Sequence, residues 1–281
     1  MSIRGSQKIA ILLCKFSDSA NIEPQPAAFY QDLFVNRATG GLNDYWIAAT
    51  FGAVDLDGSH VFGWKTLDLT GMQYLAAHPG RWDKIQGAIN AFDIDPSQFK
   101  AVVALFNVSV GDGGAAGGPD GSVGVLAQPT DANVTFLAHE LGHNFGLDHS
   151  FDTSARIAVP AWPSAPGEYF DPRDLMSAMS VGSDSDHRFS PRGPLLNAAN
   201  LDHMGWLPPA RIWRPPARNS SAVYEFDIVA FEHPDAGGYL AAEAEGWIAE
   251  FRIPSGFDSG LPRPTVLFHK GKTGPNSVIY A

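Results

Sequence analysis

The sequence predicts an α/β protein of the α+β kind, in which a twisted mixed sheet with helices precedes an irregular middle segment and a small β-rich C-terminal module. Three observations support this fold class. Buried-strand patterns alternate with helical patterns early in the chain. The stretch after Pro160 is rich in Pro, Ser, Asp and Gly. From Ala222 onward, short alternating runs are separated by Gly, Pro and Asp.

The first part of the chain supplies the sheet and its backing helices. The run KIAILLCKF is apolar throughout its interior, as a strand covered on both faces is. Trp82, Ile85 and Ile89 recur at helical spacing, so that segment is predicted to be a helix. In order, the predicted elements are a strand at 8–16, helices at 27–35 and 42–49, a strand pair around Asp57-Gly58 at 53–64, a helix at 81–92 and a strand at 101–108.

The next elements lead to the segment that carries the chemistry. Residues 111–121, GDGGAAGGPDG, are predicted to be a flexible loop, and they lack the Gly-Lys-Ser/Thr ending of a phosphate-binding loop. A short strand is expected at 123–127. Pro129-Thr130-Asp131 supplies the cap and fixed φ that begin a helix. One further helix is expected near 195–204.

Changes in composition divide the chain into three parts. Residues 1–149 are expected to form an upper subdomain that ends in the segment bearing the candidate site residues. Residues 150–217 are expected to form an irregular lower subdomain. Residues 218–281 are expected to form the β-rich C-terminal module.

The acidic balance excludes two classes of partner. The formal net charge is −11, and Lys and Arg form no cluster along the chain. Nucleic acid is therefore not expected as a partner, since its recognition requires a basic footprint. An anionic membrane surface would repel the protein for the same reason.

Cys14 is the only cysteine, which excludes an intramolecular disulfide and a cysteine-rich zinc cluster. It lies in the apolar run 9–14, where a buried small side chain is expected rather than a reactive thiol. This run is shorter than the core of a signal peptide.

Residues 138–150 read AHELGHNFGLDHS. On a helix, residues four apart are neighbours, so His139 and His143 can direct two imidazoles at one ion about 2 Å away, with Glu140 beside them. A continuing helix would carry His149 about 9 Å further along its axis. We therefore predict that the helix ends at Gly146, where glycine adopts a left-handed conformation at little cost. Three neutral imidazoles leave a fourth tetrahedral position to water, as in catalytic zinc sites.

This segment resembles the metzincin peptidases, whose signature is H-E-x-x-H-x-x-G-x-x-H followed by a turn that bears a methionine. Every fixed position is matched, and the surrounding sequence is most similar to the gametolysin and immune-inhibitor-A-like branches. The resemblance implies a metzincin-like fold and a Zn²⁺ cofactor held by His139, His143 and His149. It also implies Glu140 as general base and Met176 as the turn methionine, with Met179 as a competitor for that position.

The resemblance also implies a protein or peptide substrate that lies extended along an edge strand. The candidate strand is the segment 122–128, which begins at Ser122 and ends at Gln128. The expected activity is that of a zinc endopeptidase. Two alternatives stay open: a catalytically silent zinc-binding or adhesive module, and a zinc hydrolase of a non-peptide ester or amide. Metzincins of this kind are usually exported, so a secreted protein is expected, with a cytoplasmic location as the alternative.

Other polar residues are assigned no part in the site. His187 and His203 are expected to be ordinary surface or core residues because the three histidines already fill the site. Asp112, Asp120 and Asp152 match no calcium-loop spacing and are expected to be solvated loop carboxylates.

Overall fold

A computed structural model describes residues 3–152, 164–177, 183–216 and 223–270, together with the strand Ser277–Ile279. It shows an α+β protein made of two compact units. The N-terminal unit comprises Gly5–Trp46 and Val54–Gly146. The C-terminal unit comprises Met1–Arg4, Ile47–Ala53 and Leu147–Ala281. The boundary predicted between residues 217 and 218 falls outside the described residues, and the three-part division stays a prediction.

Within the described residues, the helices are short and the strands are grouped in three sheets. The helices are α1 (Ala27–Phe34), α2 (Leu42–Ala49), α3 (Gly71–Ala77), α4 (Arg81–Phe92), α5 (Val134–Asn144) and α6 (Ala198–His203). The strands are β1 (Gly5–Ser6), β2 (Ile9–Lys15), β3 (Val54–Asp55), β4 (His60–Thr66), β5 (Ala101–Phe106), β6 (Gly114–Gly117), β7 (Val123–Ala127), β8 (Ser150–Asp152), β9 (Ile212–Trp213), β10 (Ala241–Ala244), β11 (Trp247–Arg252), β12 (Thr265–Lys270) and β13 (Ser277–Ile279).

The N-terminal unit is built on a five-stranded sheet in the order β4-β2-β5-β7-β6. Every pair is parallel except the last, in which β6 runs antiparallel to β7. The apolar run of β2 is buried in the middle, as a doubly covered strand must be. Phe16 and Phe106 stack at 5.2 Å between ring centroids within the core beside this sheet. The predicted strand and helix alternation is confirmed in this unit.

Two predictions about strand arrangement are wrong. The segment 53–64 does not form a paired hairpin: β3 pairs with β1, and β4 pairs in parallel with β2. The segment from Ser122 to Gln128 is not an edge strand, because β7 lies between β5 and β6. The edge is β6, which forms from the glycine-rich residues predicted to be a flexible loop.

Close packing explains why the glycine-rich segment is ordered. A Cβ atom at Gly113 would lie 2.4 Å from a carboxylate oxygen of Asp131, and one at Gly118 would lie 2.5 Å from the Trp82 ring. Neighbouring side chains therefore occupy the space into which a side chain at either position would project. The segment carries no apolar alternation, so periodicity could not reveal the strand.

The C-terminal unit contains a six-stranded sheet in the order β8-β13-β12-β11-β10-β9. The strands β10, β11 and β12 form an antiparallel meander, which confirms the β-rich pattern predicted near the end of the chain. The strands β8 and β9, which come from the predicted lower subdomain, lie in this same sheet.

A buried guanidinium joins several parts of this unit. Arg252 is fully buried and forms a bidentate ion pair with Asp258, in which Nε and Nη2 each lie 2.5 Å from a carboxylate oxygen. It also contacts Glu250 at 3.2 Å and donates to the Leu195 carbonyl at 3.3 Å. A third carboxyl, that of Glu232, lies 3.7 Å away. Burial, together with Asp258, raises the pKa of Glu232 to about 9.

None of the helices in the described residues has the length and apolar character needed to cross a membrane.

Candidate metal centre

The helix α5 places the first two histidines and Glu140. Its N-cap is Asn133, whose side chain accepts a hydrogen bond from the Phe136 amide at 2.9 Å. The predicted start at Pro129-Thr130-Asp131 is therefore a few residues early, since those residues form a separate 3₁₀ turn. All but one of the helical residues are buried, His143 being half-buried. The helix is therefore held on nearly all sides, which fixes the direction of its side chains.

The helix ends where the sequence predicts. Asn144 is its last residue, Phe145 is the C-cap, and Gly146 follows with a φ of 97°. The Gly146 amide donates to the His143 carbonyl at 3.0 Å, which satisfies one of the carbonyls left open at the helix end. The Phe145 ring packs against the buried Trp46 at 4.8 Å, so the last turn is anchored by an apolar contact.

The turn at Gly146 brings the third histidine back. One ring nitrogen from each of His139, His143 and His149 lies within 4.8 Å of the others. The Nε2 atoms of His139 and His143 are 3.1 Å apart. These three residues, called here the three-histidine group, are positioned to bind a metal ion.

The donor set suits a metal ion that accepts imidazole nitrogens. Nitrogens at about 2.0–2.1 Å from one tetrahedral ion lie about 3.3 Å from each other, close to the spacing of the first pair. At this spacing, the nitrogen lone pairs of two neutral imidazoles would repel each other. A proton or a cation between the two nitrogens removes that repulsion. Three imidazoles without thiolate are ligands that zinc, copper, iron and nickel accept.

Glu140 lies on the same helix and is 7% exposed. Its Oε2 accepts a hydrogen bond of 2.6 Å from the backbone amide of Ala115 in the edge strand β6. Burial raises the pKa of Glu140, and His143 and the Ala115 amide oppose that rise. The carboxylate is thus held by a backbone donor that no side-chain pattern in the sequence could indicate.

Met176 is fully buried in a turn that pairs with the chain just after His149. Its carbonyl accepts from the Ser150 amide at 2.8 Å. The buried Asp174 ties the two segments together, because its carboxylate accepts from the Ser150 hydroxyl and from the Met176 amide. Burial, with the nearby Asp171, raises the pKa of Asp174 to about 6. The role of Met176 as the turn methionine stays a prediction, and Met179 lies outside the described residues.

The remaining polar residues considered above lie elsewhere. Within the described parts of the chain, the three-histidine group is the only cluster of potential metal ligands, so His187 and His203 belong to no such cluster. Asp112 forms an ion pair with Arg81 at 2.7 Å, and Asp120 accepts from the Ser122 amide at 3.0 Å.

Sequence reasoning did not find Glu168. Its Oε1 lies 2.7 Å from Nδ1 of His149, although 19 positions separate the two residues. A carboxylate in an irregular segment carries no periodic signal, and only the tertiary fold brings it to the histidine.

Comparison with protein-family models and with curated proteins gave no match. The fold and the site therefore define the chain as an α+β protein with three histidines positioned to bind a metal ion.

The conformation of Gly146 gives a first testable prediction. A Cβ atom there would meet nothing within 4 Å, so the penalty for Gly146→Ala arises only from its positive φ. We expect a loss of about 1–2 kcal/mol in the free energy of unfolding. Zinc affinity should also fall, because relaxation of the turn redirects His149. Urea unfolding and zinc competition titration measure the two effects.

Two glycines serve as matched controls. Gly63 has open space and no positive φ, so Gly63→Ala should cost little. Gly52 has open space and a φ of 76°, so Gly52→Ala should lower stability similarly while leaving zinc affinity intact. Equal zinc affinities for Gly146→Ala and Gly52→Ala would contradict the role assigned to the turn.

Proposed function

We propose that this chain is a zinc-dependent endopeptidase of the metzincin type, which hydrolyses peptide bonds of proteins with the help of an activated water. The observation that carries the proposal is the convergence of the three-histidine group beside Glu140, which the turn at Gly146 just after α5 makes possible. The match of every fixed position in the metzincin signature supports the same proposal.

In this proposal His139, His143 and His149 hold the metal through ring nitrogens. A bound zinc ion supplies Lewis acidity, which makes water a stronger acid and polarises a carbonyl group. The protein contributes the arrangement of its ligands: α5 fixes two imidazoles, and the turn at Gly146 fixes the approach of the third.

Glu140 acts as the general base. It accepts a proton from the water that attacks the scissile carbonyl and returns that proton to the departing amine. Its carboxylate is suited to this role because it lies next to His139 on α5 and is held by the Ala115 amide. Burial shields it from bulk water, so that few solvent molecules compete for the proton.

The edge strand β6 is the surface proposed for the substrate. In an antiparallel pair, alternate residues direct their amide and carbonyl groups away from the neighbouring strand. The Ala115 amide is of this kind, since it donates to Glu140 rather than to β7. Because Glu140 already accepts from that amide, an extended peptide would pair with β6 through the carbonyl groups that face away from β7, and it would pass beside the general base. Backbone pairing of this kind suits internal segments of proteins, which favours an endopeptidase.

A secreted location is part of the proposal and is supported by the family resemblance alone.

The test is a proteolysis assay on the full chain loaded with zinc. We expect one zinc per chain, cleavage of casein, loss of cleavage after chelation and recovery when zinc is returned. Small esters and amides are assayed in parallel. Turnover of these alone would favour the non-peptide hydrolase, and bound zinc without any turnover would favour a silent zinc-binding module.

A further inference from the structure

We infer that Glu168 is a positioning residue for the third metal ligand: its carboxylate holds Nδ1–H of His149, so that Nε2 is directed to the metal. The inference rests on the proposed metal-dependent function and names a residue that the metzincin signature does not include. The contact between Glu168 Oε1 and His149 Nδ1 is 2.7 Å, and both side chains are partly buried, being 23% exposed for His149 and 18% for Glu168.

The carboxylate is itself fixed. Its other oxygen, Oε2, accepts a hydrogen bond of 2.9 Å from the Ala165 amide, which leaves Oε1 to the histidine. The Glu168 amide in turn donates to the Ala165 carbonyl at 3.0 Å. Both ends of the residue are thus held within one tight turn, so the carboxylate loses little freedom when it binds the imidazole.

The turn that carries Glu168 is attached to the strand that follows His149. Phe151 of β8 forms an antiparallel bridge with Glu168. On either side of that bridge, the Tyr169 amide donates to the Ser150 carbonyl at 3.0 Å, and the Asp152 amide donates to the Gly167 carbonyl at 2.9 Å. The distance between Glu168 and His149 is therefore set by backbone hydrogen bonds.

The next residue restrains the imidazole from another direction. The Tyr169 ring lies against the His149 ring at 4.1 Å between centroids, with an angle of 48° between the planes. Tyr169 has a φ of 68°, a conformation that side chains other than glycine seldom adopt. Its backbone is thus bent so that both Glu168 and Tyr169 face the same histidine.

This arrangement has a defined chemical effect. A histidine can bind a metal through one nitrogen only when that nitrogen carries no proton. A carboxylate on Nδ1 fixes the proton there, leaves the lone pair on Nε2 and makes the ligand more basic. Because the two nitrogens lie on different edges of the ring, the carboxylate occupies the edge away from the metal. Accordingly, the group of potential metal ligands found within the described residues does not include Glu168.

The inference is tested by zinc affinity, measured by competition with a chromophoric chelator on the full chain. We expect Glu168→Ala to weaken zinc binding ten- to hundredfold. Glu168→Gln should have a smaller effect, because its amide oxygen still accepts from Nδ1–H without the negative charge. The thermal midpoint of each metal-free variant shows whether the fold is intact.

Asp148→Asn is the matched control, because it removes a carboxylate next to His149 in the chain. If charge alone were responsible, this variant would weaken zinc binding as much as Glu168→Ala, and the inference would be overturned. If the wild type binds zinc and Glu168→Ala binds it with the same affinity, the inference about Glu168 is also overturned. The proposed function stands in that case. A wild type that binds no zinc would overturn both.

Discussion

Under the proposed function, replacing Glu140 with glutamine is expected to leave zinc bound and to lower the turnover of casein at least about a hundredfold, the lower range for loss of a general base. Glutamine has nearly the same shape, and its amide oxygen can still accept the Ala115 amide hydrogen. The three-histidine group is unchanged, so the metal content should equal that of the wild type. What is lost is the carboxylate that is proposed to accept a proton from water.

Metal analysis and turnover are measured on the same sample, with Glu225→Gln as the control. Glu225 is an exposed glutamate outside the site, so its conversion to glutamine should leave both quantities unchanged. A Glu140→Gln variant that cleaves at the wild-type rate would remove Glu140 from the mechanism. A variant that also lost zinc would show instead that Glu140 supports metal binding.

The second large effect is expected in stability. Arg252→Met removes the guanidinium that contacts the buried carboxyls of Glu250 and Asp258. Loss of one partner from a buried ion pair costs about 3–5 kcal/mol because the remaining charge is left uncompensated. The Leu195 carbonyl also loses its donor. We expect a decrease of that size in the free energy of unfolding in urea.

Arg214→Met is the control for this measurement. Arg214 also contacts two carboxylates, those of Glu243 and Asp202, but its side chain is 42% exposed. Exposed ion pairs contribute about 0–1 kcal/mol, so the same substitution should cost little there. Equal losses for the two variants would mean that burial does not determine the contribution of Arg252.

Features set by neighbouring residues could be predicted from the sequence. The end of α5 is such a feature, because Gly146 and the spacing of the histidines lie within one short segment. The buried strands β2 and β5 were also predictable, since a continuous apolar run indicates a covered strand. In these cases the pattern and the structure depend on the same few residues.

Features set by distant contacts could not be predicted. The edge strand β6 has glycine and alanine in place of an alternating pattern, and the neighbours that exclude side chains there belong to other elements. Likewise β3 and β4 are separated by a turn sequence typical of hairpins, yet each finds a different partner in the folded chain. Glu168 and the Ala115 amide reach the site only through the tertiary fold.

The packing of the glycine-rich segment would affect substrate selectivity under the proposed function. Asp131 and Trp82 fill the space beside Gly113 and Gly118, so both ends of β6 are packed against neighbouring side chains. A peptide that paired with this edge would then undergo most of the ordering itself, which reduces the entropic loss of the protein. The strand β6 consists of glycine and alanine, so it offers few side chains that could discriminate one peptide sequence from another. An endopeptidase with this edge is expected to tolerate many sequences, and a strict preference would have to come from other contacts.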